Sequence, residues 1–291
     1  MLMRLLALVT HVWLTLLGFR RLRRQVGEWR LVFYRKGRGG EPWVLLHGLG
    51  SNALSWSPVA RHLAPGSRVL IPELSRLGGS KGPRAALAVT DGAKVIAELL
   101  RRELAGEPAT VVGLSLGGWT AVHLALAEPA LVSRLILIDS GGYREQDWDA
   151  IRTLVTIHDD AGVRRLYGAL FHRVPWLFRL SRTTFRRVFQ SPVVTGVLED
   201  LAETDLFGPE ELARLQVPVA VIWGEHDGLF SAAVGRQIAR DARGSFYLVR
   251  GVGHGLHWEA PEQLVEAMEE ARRELPAQGE QPVAAVSAAL E

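Results

Sequence analysis

Polar and apolar residues alternate in "WRLVFYR" (29–35), the period of a strand with one covered face. Further on come short, almost unbroken apolar runs: "WVLLH" (43–47), "VLIP" (69–72), "TVVGL" (110–114), "RLILID" (134–139), "VAVIWG" (219–224) and "FYLVR" (246–250). Gly, Pro or polar residues bound each run, as expected of parallel strands covered on both faces. Between most of them lie stretches with apolar residues at helical spacing, such as "DGAKVIAELLRREL" (91–104), "WTAVHLALAEP" (119–129) and "APEQLVEAMEEARREL" (260–275). This alternation predicts an α/β fold, a mostly parallel sheet flanked by helices, with its core in residues 28–142 and 216–275. The alternation stops after "LIDSGGY". Residues 143–215 carry helical patterns without a convincing strand, so a helical cap is expected, inserted after strand 6. The terminal "PAQGEQPVAAVSAALE" (276–291) lacks core-forming periodicity and is expected to be a flexible tail.

The N-terminal pattern differs. Leu2 to Phe19 are largely apolar, interrupted by Arg4, His11, Thr15 and Gly18, and Arg20, Arg21, Arg23 and Arg24 follow at once. A signal peptide would carry its charge first and end at a small-residue cleavage site, and neither holds here. The run is also shorter than the roughly 20 apolar residues of a spanning helix. Residues 1–27 are therefore expected to form an apolar/basic helix. Its segment 1–24 would anchor in or lie on the cytoplasmic side of a membrane. The alternative is a soluble cytoplasmic protein with this helix packed on its own surface. The cap segment "RRLYGALFHRVPWLFRLSRTTFRRVF" (164–189) poses the same choice: Leu, Phe and Trp laid into a bilayer beside arginines, or a cap packed on its own core.

Composition narrows the function classes. The 34 basic and 31 acidic residues leave a net charge of +3, too balanced for a nucleic-acid binder. There is no cysteine, which excludes disulfides and thiolate metal sites.

Within "VVGLSLGG" (111–118), Gly113-Leu114-Ser115-Leu116-Gly117 fits G-x-S-x-G between a predicted strand and a predicted helix. A sharp turn there displays the Ser115 hydroxyl at the carboxyl edge of the sheet. The bland alternative is a tight corner with a buried serine. A neutral serine needs a base, and the base needs an acid to orient it. "IWGEHDGLF" places Asp227 past one buried strand, and "VRGVGHGLHWEAPE" places His254 past the next, in the chain order Ser, acid, His. His257 is the rival base and Asp139 the rival acid; Glu225 and His226 read as turn residues, and Asp227 itself has a helix- or turn-cap reading. The glycines of "LLHGLGSN" (45–52) permit close backbone approach, which makes the N–H groups of Leu49 and Leu116 the candidate oxyanion donors. His47 reads as a residue that organises this loop.

Taken in order, "HGLGSNALSW", "PELSRLGGS", "VVGLSLGGWTAVHLALAEP", "LILIDSGG", "VPVAVIWGEHDGLF" and "GVGHGLHWEAPE" resemble the α/β-hydrolase fold family over roughly residues 29–275. The resemblance implies Ser115, Asp227 and His254 as a catalytic triad. A Ser nucleophile argues against the haloalkane dehalogenase and epoxide hydrolase branches. One departure is "PELSRLGGS" (72–80), where relatives usually show D-x-P-G-x-G-x-S; a reshaped loop is expected there. The N-terminal apolar segment plus a compact cap is similar, more loosely, to membrane-associated monoacylglycerol lipases and related bacterial lipases. The function expected is hydrolysis of carboxylic esters, such as lipid-like acyl esters, without metal or organic cofactor. The partners expected are an ester or lipid substrate and a membrane surface, and no nucleic acid. A C–C bond hydrolase or enol-lactonase on a ring-cleavage product is the enzymatic alternative, and a ligand-binding module on the hydrolase fold the non-enzymatic one.

Overall fold

The computed structural model describes residues 2–63, 66–87 and 89–277. The tail expected over 276–291 lies almost wholly outside them.

Eight strands form one sheet: β1 (Arg20–Val26), β2 (Trp29–Lys36), β3 (Gly39–Leu46), β4 (Ser67–Pro72), β5 (Ala109–Leu114), β6 (Val132–Ile138), β7 (Val219–Gly224) and β8 (Ser245–Val249). Their spatial order is β1-β2-β4-β3-β5-β6-β7-β8. The β1–β2 and β2–β4 pairs are antiparallel; every pair from β4 to β8 is parallel. The helices are α1 (Leu2–Leu16), α2 (Ser57–Ala60), α3 (Val89–Glu103), α4 (Leu116–Ala127), α5 (Trp148–Val155), α6 (Asp160–Leu170), α7 (Trp176–Leu180), α8 (Arg182–Phe189), α9 (Pro192–Asp200), α10 (Pro209–Ala213), α11 (Ala232–Asp241), α12 (Leu256–Glu259) and α13 (Pro261–Glu274). α5 to α10 lie between β6 and β7, a helical cap inserted after the sixth strand as the pattern predicts.

The central strands explain themselves. Every residue of β5, β6 and β7 is buried, because helices cover both faces of a parallel sheet. One apolar layer joins α3, α4 and α11 to the sheet, and a second joins α2 and α13 to the opposite face.

The N-terminal expectation needs correction. The helix within 1–27 ends at Leu16, and its basic flank is a strand. Gly18 takes φ +88°, a conformation that ends a helix easily only at glycine. β1 and β2 join through a two-residue turn in which Gly27 has φ +53°, so Val26 pairs with Trp29 and the register runs back to Arg20 opposite Arg35. The arginines suit an edge strand, where charge discourages pairing with another chain. They also find an anion: Arg24 and Arg35 both bind the Glu103 carboxylate, at 2.7 and 3.0 Å, on α3. Helix α1 is tied down at its end, where Leu14 and Phe19 are fully buried. Leu8, Val9, Val12, Trp13 and Leu16 stay exposed. No helix among the described residues is long and apolar enough to cross a membrane.

Candidate active site

Ser115 stands between β5 and α4 with φ 55° and ψ −118°, a strained backbone for a residue with a side chain. The glycines around it make that turn possible. A Cβ on Gly113 would meet the Gly117 carbonyl at 2.4 Å, and a Cβ on Gly117 would meet the Leu46 carbonyl at 2.3 Å. The backbone of Ser115 is fixed on both sides: its N–H donates to the Ile138 carbonyl at 2.9 Å, and its carbonyl accepts the Gly118, Trp119 and Gly141 N–H groups. Leu116 opens α4, so its N–H belongs to the first-turn donors that lack an intrahelical acceptor. The loop after β3 runs against this corner: a Cβ on Gly48 would lie 3.2 Å from that of Ser115, and Leu49 follows directly.

Asp227 and His254 come from the loops after β7 and β8. They meet: His254 Nδ1 lies 2.8 Å from Asp227 Oδ2. The Asp227 side chain is fully buried, and its Oδ1 accepts the N–H groups of Leu229 and Phe230 at 2.8 and 2.9 Å. Nδ1 serving as donor leaves Nε2 of a neutral His254 as the acceptor. The ring packs edge-on against Phe230.

The rivals resolve differently. Asp139, after β6, is wholly buried and has φ 43°. It receives one hydrogen bond, from the Gly224 N–H at 2.9 Å. Burial, and then the Asp227 charge, push its carboxyl well above the usual carboxylate range. His257 is also buried, against Trp56, and its Nδ1 has no partner among the described residues. Burial, with His254 and His47 nearby, lowers it to about 3, which keeps it neutral. Glu225 and His226 act locally: the Glu225 carboxylate accepts the Gly251 N–H, and the His226 N–H donates to the Val252 carbonyl, joining the two loops. Asp139, Asp227 and His254 bring ligand-type atoms within 4.8 Å of one another, the spacing of a metal site. In Asp227 and His254 those atoms are already spent on each other at hydrogen-bond distance.

Sequence reasoning missed Glu73, the residue at the departure in "PELSRLGGS". It is buried; its carboxylate meets His47 Nε2 at 3.1 Å and accepts the Ala53 N–H at 2.9 Å and the Ser75 hydroxyl at 3.1 Å. It thereby braces the 47–53 loop beside Ser115. A Cβ on Gly78 would fall 1.6 Å from Glu73 Oε2, so this glycine makes room for the longer carboxylate. The departure from the expected Asp was the visible signal.

The profile of the Alpha/beta hydrolase family matches residues 43–267. The chain belongs to that family. Among relatives of this hydrolase, a 2-hydroxy-6-oxononadienedioate/2-hydroxy-6-oxononatrienedioate hydrolase of Paraburkholderia xenovorans is 29% identical over 281 residues, covering 84% of this chain and 91% of its own. A pimeloyl-[acyl-carrier protein] methyl ester esterase of Pectobacterium carotovorum is 31% identical over 214 residues, 68% of this chain and 81% of the esterase. A crystal structure of a bacterial membrane phospholipase A superposes with a TM-score of 0.81 at 23% identity, covering 93% of this hydrolase and 91% of that chain. Esterases and C–C hydrolases thus stand side by side among its relatives.

Proposed function

We propose that this hydrolase cleaves carboxylic esters through Ser115, His254 and Asp227. The observation that carries the reading is the 2.8 Å contact from His254 Nδ1 to the buried, three-donor Asp227 carboxylate, in the same edge of the sheet as the strained Ser115. In this reading His254 Nε2 takes the Ser115 proton as Oγ attacks the carbonyl carbon. The oxyanion is held by the Leu49 and Leu116 N–H groups, and the imidazolium by Asp227. His254 then gives its proton to the leaving alcohol. Water, deprotonated by the same nitrogen, releases the acid from the acyl-enzyme. Every step is proton transfer or acyl transfer, so the scheme calls for no cofactor.

The substrate class proposed is an apolar, lipid-like acyl ester such as a monoacylglycerol, met at a membrane surface. Two exposed apolar groups support it. One is the α1 face of Leu8, Val9, Val12, Trp13 and Leu16; the other is Trp176 and Leu180, one turn apart on α7 and 71% and 66% exposed. Beside the latter is a cavity of about 320 Å³ lined by Arg164, Tyr167, Val174, Arg179 and Arg182, a cationic setting for anionic head groups. The cap phenylalanines do not share this role. Phe171, Phe178, Phe185 and Phe189 pack with Tyr167 and one another inside the cap.

The test is hydrolysis of p-nitrophenyl esters from acetate to palmitate by the wild-type chain and Ser115→Ala. Turnover should peak at medium or long chains and fall about 10³-fold or more in the variant. A second reading, C–C hydrolysis of a ring-cleavage product, draws on the Paraburkholderia relative. Ser115-dependent turnover of a 2-hydroxy-6-oxo-dienoate, with only slow acetate ester cleavage, would favour it.

A further inference from the structure

Between α6 and α7 the cap does not hover over the sheet; it is bonded into the two loops that carry Asp227 and His254. The last carbonyls of α6 are the acceptors. Ala169 takes the Gly228 N–H at 3.0 Å, beside Asp227, and Leu170 takes the Gly255 N–H at 2.7 Å, beside His254. The approach is close, which explains three glycines at once. A Cβ on Gly228 would meet Ala169 Cα at 2.9 Å; one on Gly253 would meet the His172 nitrogen at 2.8 Å; one on Gly255 would meet the Phe171 ring at 2.3 Å. Above this seam the imidazoles of His172 and His226 stack at 4.1 Å.

One side chain closes the seam. Glu259, at the end of α12, accepts the Gly253 N–H at 2.9 Å and the His172 N–H at 3.3 Å through Oε2, and the Arg173 N–H at 2.6 Å through Oε1. Three backbone donors from two segments converge on one half-buried carboxylate. Two belong to the cap; the third belongs to the residue immediately before His254. A carboxylate offers acceptors only, so it suits three N–H groups that would otherwise face one another without a partner. We propose that Glu259 is a positioning residue, which holds the cap segment 171–173 against the histidine loop and thereby fixes the distance and tilt of His254 toward Asp227 and Ser115. This rests on the function proposed above. It makes the inner cap a working part of the site. It also confines any opening of the cap to the segments beyond Arg173, where α7 carries the exposed Trp176 and Leu180.

The test uses the full chain with Glu259→Ala and Glu259→Gln. Four readings are taken: the kcat and KM for p-nitrophenyl butyrate, the pH profile of kcat/KM, the downfield NMR signal of the His254 Nδ1 proton, and amide hydrogen exchange. A misplaced base costs rate more than affinity, so kcat in Glu259→Ala should fall about ten- to a hundredfold with KM within about twofold. The Nδ1 proton signal should broaden or vanish, and amides 253–255 should exchange faster. Glu259→Gln keeps one oxygen acceptor and the volume, and should fall between; it also serves if Glu259→Ala does not fold. A folded variant with unchanged kcat, pH profile and Nδ1 signal would overturn the proposal, as would a lower melting temperature with those three intact. If the wild-type chain shows no Ser115-dependent turnover, the functional reading fails. The proton signal and amide exchange then still decide whether Glu259 holds the loop.

Discussion

β6 and β7 are neighbours in the sheet, and past each lies a buried aspartate, yet the two carboxyls live in opposite electrostatic worlds. Past β7, Asp227 gathers the Leu229 and Phe230 N–H groups and the His254 ring. Past β6, Asp139 has the Gly224 N–H alone and faces the charge of its neighbour. Two carboxyls this close do not both ionise in a buried site. The two aspartates thereby differ in their partners: Asp227 meets His254, and Asp139 beside it has its carboxyl raised by burial.

The sharpest way to break this comparison is Asp227→Asn. The substitution keeps shape but offers the wrong group to His254 Nδ1, and kcat for a short ester should drop about 10³- to 10⁴-fold. A loss under tenfold would mean that Asp139 serves as the acid. Asp139→Asn should be far milder, within about fivefold in kcat, since an amide can still donate to Asp227. Its signature is in stability. The Asp139 pKa is raised, so below the ordinary carboxylate range both folded and unfolded chains hold the proton. As pH rises through that range the unfolded chain alone ionises, and the native state loses stability. Thermal melts of Asp139→Asn should therefore gain on wild type between about pH 4 and neutrality; parallel curves would count against a protonated Asp139. A small effect on rate is expected from His257→Phe, whose activity at neutral pH should stay within about threefold. His257 is lowered to about 3 in the folded chain, so its contribution is full above the ordinary imidazole pKa of about 6.5 and fades as pH falls toward 3. The variant should lose stability less steeply over that window. At the outer cap, Trp176→Ala with Leu180→Ala should weaken sedimentation with anionic phosphatidylglycerol vesicles several-fold while butyrate ester turnover holds. Unchanged sedimentation would remove α7 from the membrane surface.

Much of the fold was legible because central parallel strands need apolar side chains on both faces. The runs at 110–114, 134–139 and 219–224 could be little else. The Ser115 corner was legible because its strain demands glycine at fixed offsets. β1 was not, since "RRLRRQV" has no apolar alternation; only Val26 is buried, and its register comes from the Gly27 turn and from Glu103 on α3. Glu73 and Glu259 were hidden for a related reason. An isolated glutamate in a loop or at a helix end is usually solvated, and only the folded chain reveals backbone donors converging on it. Chain order alone ranks Asp227 over Asp139; the donors that surround each appear only in three dimensions.

The central claim is that Ser115 is a nucleophile activated by His254 and Asp227, and covalent labelling tests it most directly. The chain is incubated with a fluorophosphonate, its intact mass is recorded, and the adduct is mapped by peptide mass spectrometry. The account predicts one adduct per chain on Ser115, absent in Ser115→Ala and formed at least about 10²-fold more slowly in His254→Ala. No adduct on the folded wild-type chain, or one that persists in Ser115→Ala, would contradict it.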